Sequence, residues 1–207
     1  MIRRASGTLR DHRKVATPEQ LREVLLSPEE AAGMEAVGGG VDAAVLVPLY
    51  LDSGDLHAVF TKRRDDLSRH AGEISFPGGR QDFPEEDLRT TALREAHEEV
   101  GLPPEEVELV GALPPVGTFV TNYKIHPFVG VIKPGHAWVP QPTEVEVVLE
   151  LSIPALIAGF EMKRLIRKGV PFRTPTYCVD DNLIWGATAR ITEHLLERLT
   201  RLSRSER

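Results

Sequence analysis

Apolar positions along the chain follow two periods. Residues 43–51 and 56–62 are rich in β-branched and aromatic side chains and flank Asp52-Ser53-Gly54-Asp55, a turn composition, so they predict two strands joined as a hairpin. Further strands are predicted at 74–76, 107–112, 125–132 and 145–151. Between them Ala92, Leu93, Ala96 and Val100 recur at helical spacing, and Gly101 is a natural C′ residue for that helix. A last helix is predicted over 187–202. Near the N-terminus, Thr17-Pro18-Glu19-Gln20 has the N-cap, first-position proline and third-position amide of a capping box, followed by apolar Leu21, Val24 and Leu25. Ser27-Pro28-Glu29-Glu30 predicts a second short helix, and Gly38-Gly39-Gly40 a linker. Strands on both sides of a central helix predict a mixed α/β sandwich, with an N-terminal arm and helices over 1–37 and the main domain over 38–207.

Composition narrows the class. With 207 residues and 41% hydrophobic content the chain can bury one substantial core, and no internal repeat or low-complexity tract divides it. The 25 basic against 31 acidic residues leave −6, which repels a nucleic-acid backbone, so a nucleic-acid partner is not expected. Apolar runs fall short of the roughly 18 residues of a membrane span, so no membrane partner is expected. Cys178 is the sole cysteine, so no intramolecular disulfide can form; a cytoplasmic setting and a buried packing role for Cys178 are the expectations. Arg3, Arg4, Arg10, Arg13 and Lys14 make the first residues basic, but Asp11 and the lack of an apolar face favour a surface arm over a transit peptide. His57, His126, His136 and His194 show no zinc-ligand spacing with Cys178, and no zinc site is expected. The oligomeric state is not legible.

The chemistry concentrates at the end of the central helix. Glu95, Glu98 and Glu99 fall on one arc beside the apolar stripe, where like charges three and four apart repel by roughly 0.2–0.5 kcal/mol a pair and oppose the helix dipole. In isolation such a run is a solvated acidic helix end. Local rules broken in one place point to function, and clustered carboxylates without matching bases suit a hard divalent cation such as Mg²⁺. Lys62, Arg63, Arg64, Arg69 and His70 crowd the loop leading to Gly78 and Gly79, where guanidinium groups could meet phosphate.

The glycine turn FPGG followed by REAHEEVGL resembles the Nudix box of the Nudix hydrolase family. Six residues separate Gly79 from Glu86 and seven more precede Arg94, so the loop carries one residue beyond the usual pattern whether Glu85 or Glu86 is aligned. Upstream, FTKRRDDLSRHAGEISFPGG is similar to the signature of the coenzyme A pyrophosphatase branch at Arg63, Leu67, His70, Gly72, Glu73 and FPGG, and that branch tends to have the longer loop. Arg64 stands where the branch usually has serine. Trp185-Gly186-Ala187-Thr188 is similar to a late motif of the same branch.

The resemblance implies an α/β/α sandwich and cleavage of coenzyme A, or a derivative, to 3′,5′-ADP and 4′-phosphopantetheine. Glu95, Glu98 and Glu99 would hold Mg²⁺ or Mn²⁺; Arg63, His70, Gly78 and Gly79 would meet the substrate; Arg94 would orient a ligand carboxylate. Glu144, in Pro142-Thr143-Glu144-Val145, is the candidate base for the attacking water, with Glu98 its rival. Two other readings stay open: a Nudix hydrolase of another nucleoside diphosphate derivative such as ADP-ribose or NADH, and an inactive nucleotide-sensing module, against which the intact REAHEEVGL argues.

Overall fold

The computed structural model describes residues 17–66, 71–118, 121–167 and 170–205. The chain runs α1 (Pro18–Val24), α2 (Pro28–Ala32), β1 (Val41–Asp52), β2 (Asp55–Arg63), β3 (Ile74–Ser75), β4 (Gly78–Arg80), α3 (Leu88–Val100), a 3-10 turn (Pro104–Glu106) and β5 (Glu108–Ala112). It continues through β6 (Val116–Gly117), β7 (Tyr123–Val131), β8 (Val145–Ser152), α4 (Ile153–Ala158), β9 (Phe160–Arg167), β10 (Val170–Val179), β11 (Asn182–Ile184) and α5 (Gly186–Ser205).

β1 is the spine. It pairs in parallel with β7 from Val41↔Tyr123 to Leu49↔Val131, while β2 and β4 pair antiparallel with its two ends. The main sheet orders as β3-β2-β1-β7-β5, with β8 on β2, β4 on β1 and β6 on β7. Because strand side chains alternate in direction, Val47 and Leu49 of β1 enter one core with Leu21, Leu156 and Leu195 from α1, α4 and α5. Ala44, Leu46 and Tyr50 enter the other with Ala92, Ala96 and Val100 from α3. Helices thus cover both faces of a mixed sheet, the α/β/α sandwich expected from the sequence.

Local chemistry explains the helix ends and the hairpin. The Thr17 and Ser27 capping boxes both form, each hydroxyl accepting an N–H from the third helical residue. Ser53 and Gly54, at φ 52° and 89°, turn β1 into β2. α3 starts at the N-cap Asp87, whose carboxylate accepts the Arg89 N–H at 2.7 Å, and ends at Gly101 in the left-handed region.

Three features depart from the sequence expectations. The small sheet β11-β10-β9 falls where no strands were predicted. Gly39 and Gly40 are not a slack tether: the Gly40 N–H donates to Asn122 O at 2.9 Å, and a Cβ on Gly39 would meet the Tyr123 backbone. Cys178 is exposed rather than packed, because only its strand neighbours Tyr177 and Val179 turn into the core. The basic arm before Lys14, with Leu67, Arg69 and His70, lies outside the described residues. No helix among the described residues is long and apolar enough to cross a membrane.

Candidate active site

β4 wedges between β1 and α3, and two glycines make that possible. Gly78 and Gly79 pair with Val45 and Ala44. A Cβ on Gly78 would collide with the backbone of Ala44 and Val45, and one on Gly79 with the Glu95 carboxylate. The glycine turn therefore lets a strand backbone press directly against the acidic edge of α3, and the Gly78 N–H donates to Glu99 Oε2 at 3.3 Å.

This wedge separates the three acids. Glu99 is buried, at 8% exposure, Glu95 is half-buried, and the Glu98 side chain is 56% exposed. Burial, then the charge of Glu95, pushes the Glu99 carboxyl up to about 8, and burial raises Glu95 as well. Glu98 turns away to Arg94, its Oε2 lying 3.2 Å from Nη1. Among the described residues no three acid, His or Cys side chains already form a metal cage. Glu95 and Glu99 nevertheless fit a hard divalent ion: they are adjacent, all-oxygen donors whose mutual repulsion a cation would relieve, and Mg²⁺ commonly takes one or two carboxylates with substrate phosphates completing its shell. Nudix hydrolases generally use divalent ions such as Mg²⁺ or Mn²⁺.

Across from Glu99 the end of β2 brings Arg63 to Glu144, Nη1 to Oε2 at 3.4 Å. Both act on Glu99, Arg63 lowering its pKa and Glu144 raising it. A register irregularity arranges this. Lys62 pairs with Val147 but Arg63 with Val145, leaving Glu146 as the extra residue on β8. In an unbroken ladder Glu144 and Glu146 would share a face while the neighbours Lys62 and Arg63 point to opposite ones. The bulge lets Glu146 meet Lys62 at 3.1 Å while Glu144 meets Arg63. Arg63 Nε is buried and has no hydrogen-bond partner among the described residues.

Arg94 is the hub of the opposite edge. It reaches Glu95 Oε1 at 3.1 Å, Arg80 O at 2.9 Å and, through Nε, Glu86 Oε1 at 3.0 Å. Glu86 also accepts the Asp82 N–H and the Thr91 hydroxyl, each at 2.9 Å. The Arg94 hydrogen bond, against the cost of burial, holds the Glu86 carboxyl down to about 2. Glu86, not the exposed Glu85, is thus the acid of the longer loop that turns inward. Sequence reasoning left it out of the site, although Thr91 and Arg94, five and eight residues on, give it partners along the helix's near face.

The structure gathers Glu95, Glu99, Gly78, Gly79, Arg63 and Glu144 around one spot, with Arg94 behind Glu95. Glu98 stands apart on the solvent side, and His70 is outside the described residues.

Comparison with known proteins identifies the family. A NUDIX domain matches residues 40–156. Proteins of Salmonella newport and Salmonella agona, each named an uncharacterized Nudix hydrolase, NudL, are 37% identical over 155 residues, covering 74% of this chain and 80% of theirs. The NUDIX domain of Shewanella oneidensis NrtR, solved with ADP ribose, is similar in fold at a TM-score of 0.50 and 16% identity, covering 83% of this chain and 97% of that one. With the glycine wedge, the acidic helix edge and these matches in hand, the chain belongs to the Nudix hydrolase family.

Proposed function

We propose that this Nudix hydrolase cleaves the diphosphate of coenzyme A, or of an acyl or oxidised derivative, to 3′,5′-ADP and 4′-phosphopantetheine or its correspondingly acylated or oxidised form. The observation that carries the reading is the stretch FTKRRDDLSRHAGEISFPGG: it resembles the coenzyme A pyrophosphatase signature, and its Arg63 stands beside Glu144 and Glu99.

Glu95 and Glu99 would hold Mg²⁺ or Mn²⁺, which when bound offsets diphosphate charge and acidifies water. Arg63 directs its guanidinium to a phosphate oxygen. Glu144, exposed enough to reach solvent and close enough to Glu99, takes the proton from the attacking water. Arg94 fixes the Glu95 carboxylate from behind and does not touch substrate. Gly78 and Gly79 keep β4 close against β1 and the Glu95 carboxylate, which sets where the substrate's phosphates would meet the acids. Glu98, paired with Arg94 and exposed, is the weaker base candidate and would join the metal site only by leaving that pair.

The test is a panel of coenzyme A, acetyl-coenzyme A, ADP-ribose, NADH and 8-oxo-dGTP with Mg²⁺ or Mn²⁺, products identified by mass spectrometry. Coenzyme A or its acyl ester should give the highest kcat/KM. Coenzyme A ranking among the poorest substrates would replace this reading with another nucleoside diphosphate derivative.

A further inference from the structure

The segment that presents Glu144 has few means of holding itself in place. Pro140 and Pro142 have no N–H, so the backbone leading from β7 into β8 has fewer donors with which to tie itself down. On one side it is strapped to the catalytic helix. The Val139 N–H donates to Val100 O at 3.0 Å and the Gln141 N–H to Glu99 O at 2.8 Å, using carbonyls that a helix C-terminus leaves without internal partners. The Glu144 and Val145 N–H groups then both donate to Gln141 O, at 3.0 and 2.9 Å.

The other side depends on Arg64. Its N–H donates to Glu144 O at 3.0 Å, and its Nη1 donates to Pro142 O at 2.9 Å. The remaining edge of the guanidinium forks onto Asp66, Nε to Oδ1 at 2.8 Å and Nη2 to Oδ2 at 2.7 Å. This bidentate grip fixes the plane of the guanidinium and so aims Nη1 at the proline carbonyl. Arg64 also walls an open groove of about 520 Å³, together with Asp65, Asp66, Pro140, Pro142, Val145 and Glu146. Three of the five N–H donors of its guanidinium are committed to Asp66 and Pro142.

We propose that Arg64 is a positioning residue for Glu144: braced on Asp66, it pins Pro142 O and so holds the Glu144 carboxylate over Arg63 and Glu99. The proposal rests on Glu144 acting on the attacking water, and the test separates the two ideas. Arg64→Ala, Arg64→Lys, Glu144→Gln and the double variant Arg64→Ala/Glu144→Gln are assayed on the best substrate of the panel, with Mn²⁺ affinity measured by calorimetry and folding by thermal melts.

Arg64→Ala keeps the backbone bond to Glu144 and should lower kcat about tenfold or more, since displacing a reacting group by an ångström costs up to about 100-fold. KM and Mn²⁺ affinity should stay within about twofold, because no substrate or metal contact is lost. Arg64→Lys, which keeps the charge without the fork, should behave like alanine. In the Glu144→Gln background Arg64→Ala should cost nothing further, there being no base left to misplace. A raised KM with normal kcat would make Arg64 a substrate contact, and losses that multiply in the double variant would make it independent of Glu144; either overturns the positioning role. Normal kcat for Arg64→Ala beside a crippled Glu144→Gln overturns the positioning role alone. Normal kcat for Glu144→Gln overturns the base assignment and the positioning role with it.

Discussion

Glu86, just ahead of α3, and Glu99, in its last turn, are both buried, yet one is held down to about 2 and the other pushed up to about 8. Glu86 accepts from a guanidinium, a hydroxyl and a backbone N–H. Glu99 has the Gly78 N–H at 3.3 Å and the charge of Glu95 beside it. Burial leads in raising Glu99, whereas at Glu86 the Arg94 hydrogen bond outweighs it: one carboxylate is satisfied and ties the loop to the helix, and the other keeps its appetite for a cation. A folded protein tolerates the second arrangement because the first anchors the same helix.

Removing the satisfied acid should have the larger effect. Glu86→Ala leaves Arg94 without its buried partner and should destabilise by about 3 kcal/mol, the low end for a broken buried pair because Arg94 retains Glu95 and Glu98. For a chain of this size that is a fall in Tm of roughly 6–12 °C, measurable by calorimetry with and without metal. An unchanged Tm would mean that the latch holds nothing.

Glu99→Gln should reverse the pattern. Activity at saturating Mg²⁺ should drop by at least ~100-fold, about 2.7 kcal/mol, while the metal-free Tm holds or rises because glutamine is neutral without the proton that burial forces onto Glu99. A near-wild-type kcat would remove Glu99 from the metal site.

A third effect is read per pH unit. A carboxyl raised from 4.5 to about 8 keeps its proton in the folded protein after the unfolded chain has lost it, so metal-free stability should fall as pH rises through that window. The slope is up to about 1.4 kcal/mol per unit. Glu86, depressed from 4.5 to about 2, contributes in the opposite sense: its stabilisation is present above 4.5 and is lost as pH falls toward 2. Metal-free melts of the wild type and Glu99→Gln between pH 5 and 8 should therefore diverge, the wild type declining relative to the variant. Parallel curves would show that Glu99 titrates normally and erase the contrast with Glu86.

Much of this molecule is written locally. The capping boxes at Thr17 and Ser27, the Ser53-Gly54 turn and the Gly101 helix end form where short-range rules place them, because each depends on residues a few positions apart. The strands β9, β10 and β11 escaped for the converse reason. Their Lys, Arg, Pro and Thr-rich sequences lack a clean alternation, and β10 is organised by pairing with β9 and by packing against α4 and α5.

The site divides in the same way. Helical periodicity put Glu95, Glu98 and Glu99 on one arc, and the paired glycines marked a close backbone approach, both from sequence alone. Which edge of the arc the sheet would cover is a matter of where β4 crosses α3, and that crossing buries Glu99 while leaving Glu98 to solvent. The choice of Glu86 over Glu85, and the meeting of Arg63 with Glu144 from 81 residues away, likewise depend on tertiary contacts: a guanidinium two helical turns on, and a bulge that shifts the phase of β8 against β2. Residue types and spacings determine which groups can do the chemistry, but a carboxylate's charge state depends on its distance from water and from other charges, and that distance exists only once the chain has folded.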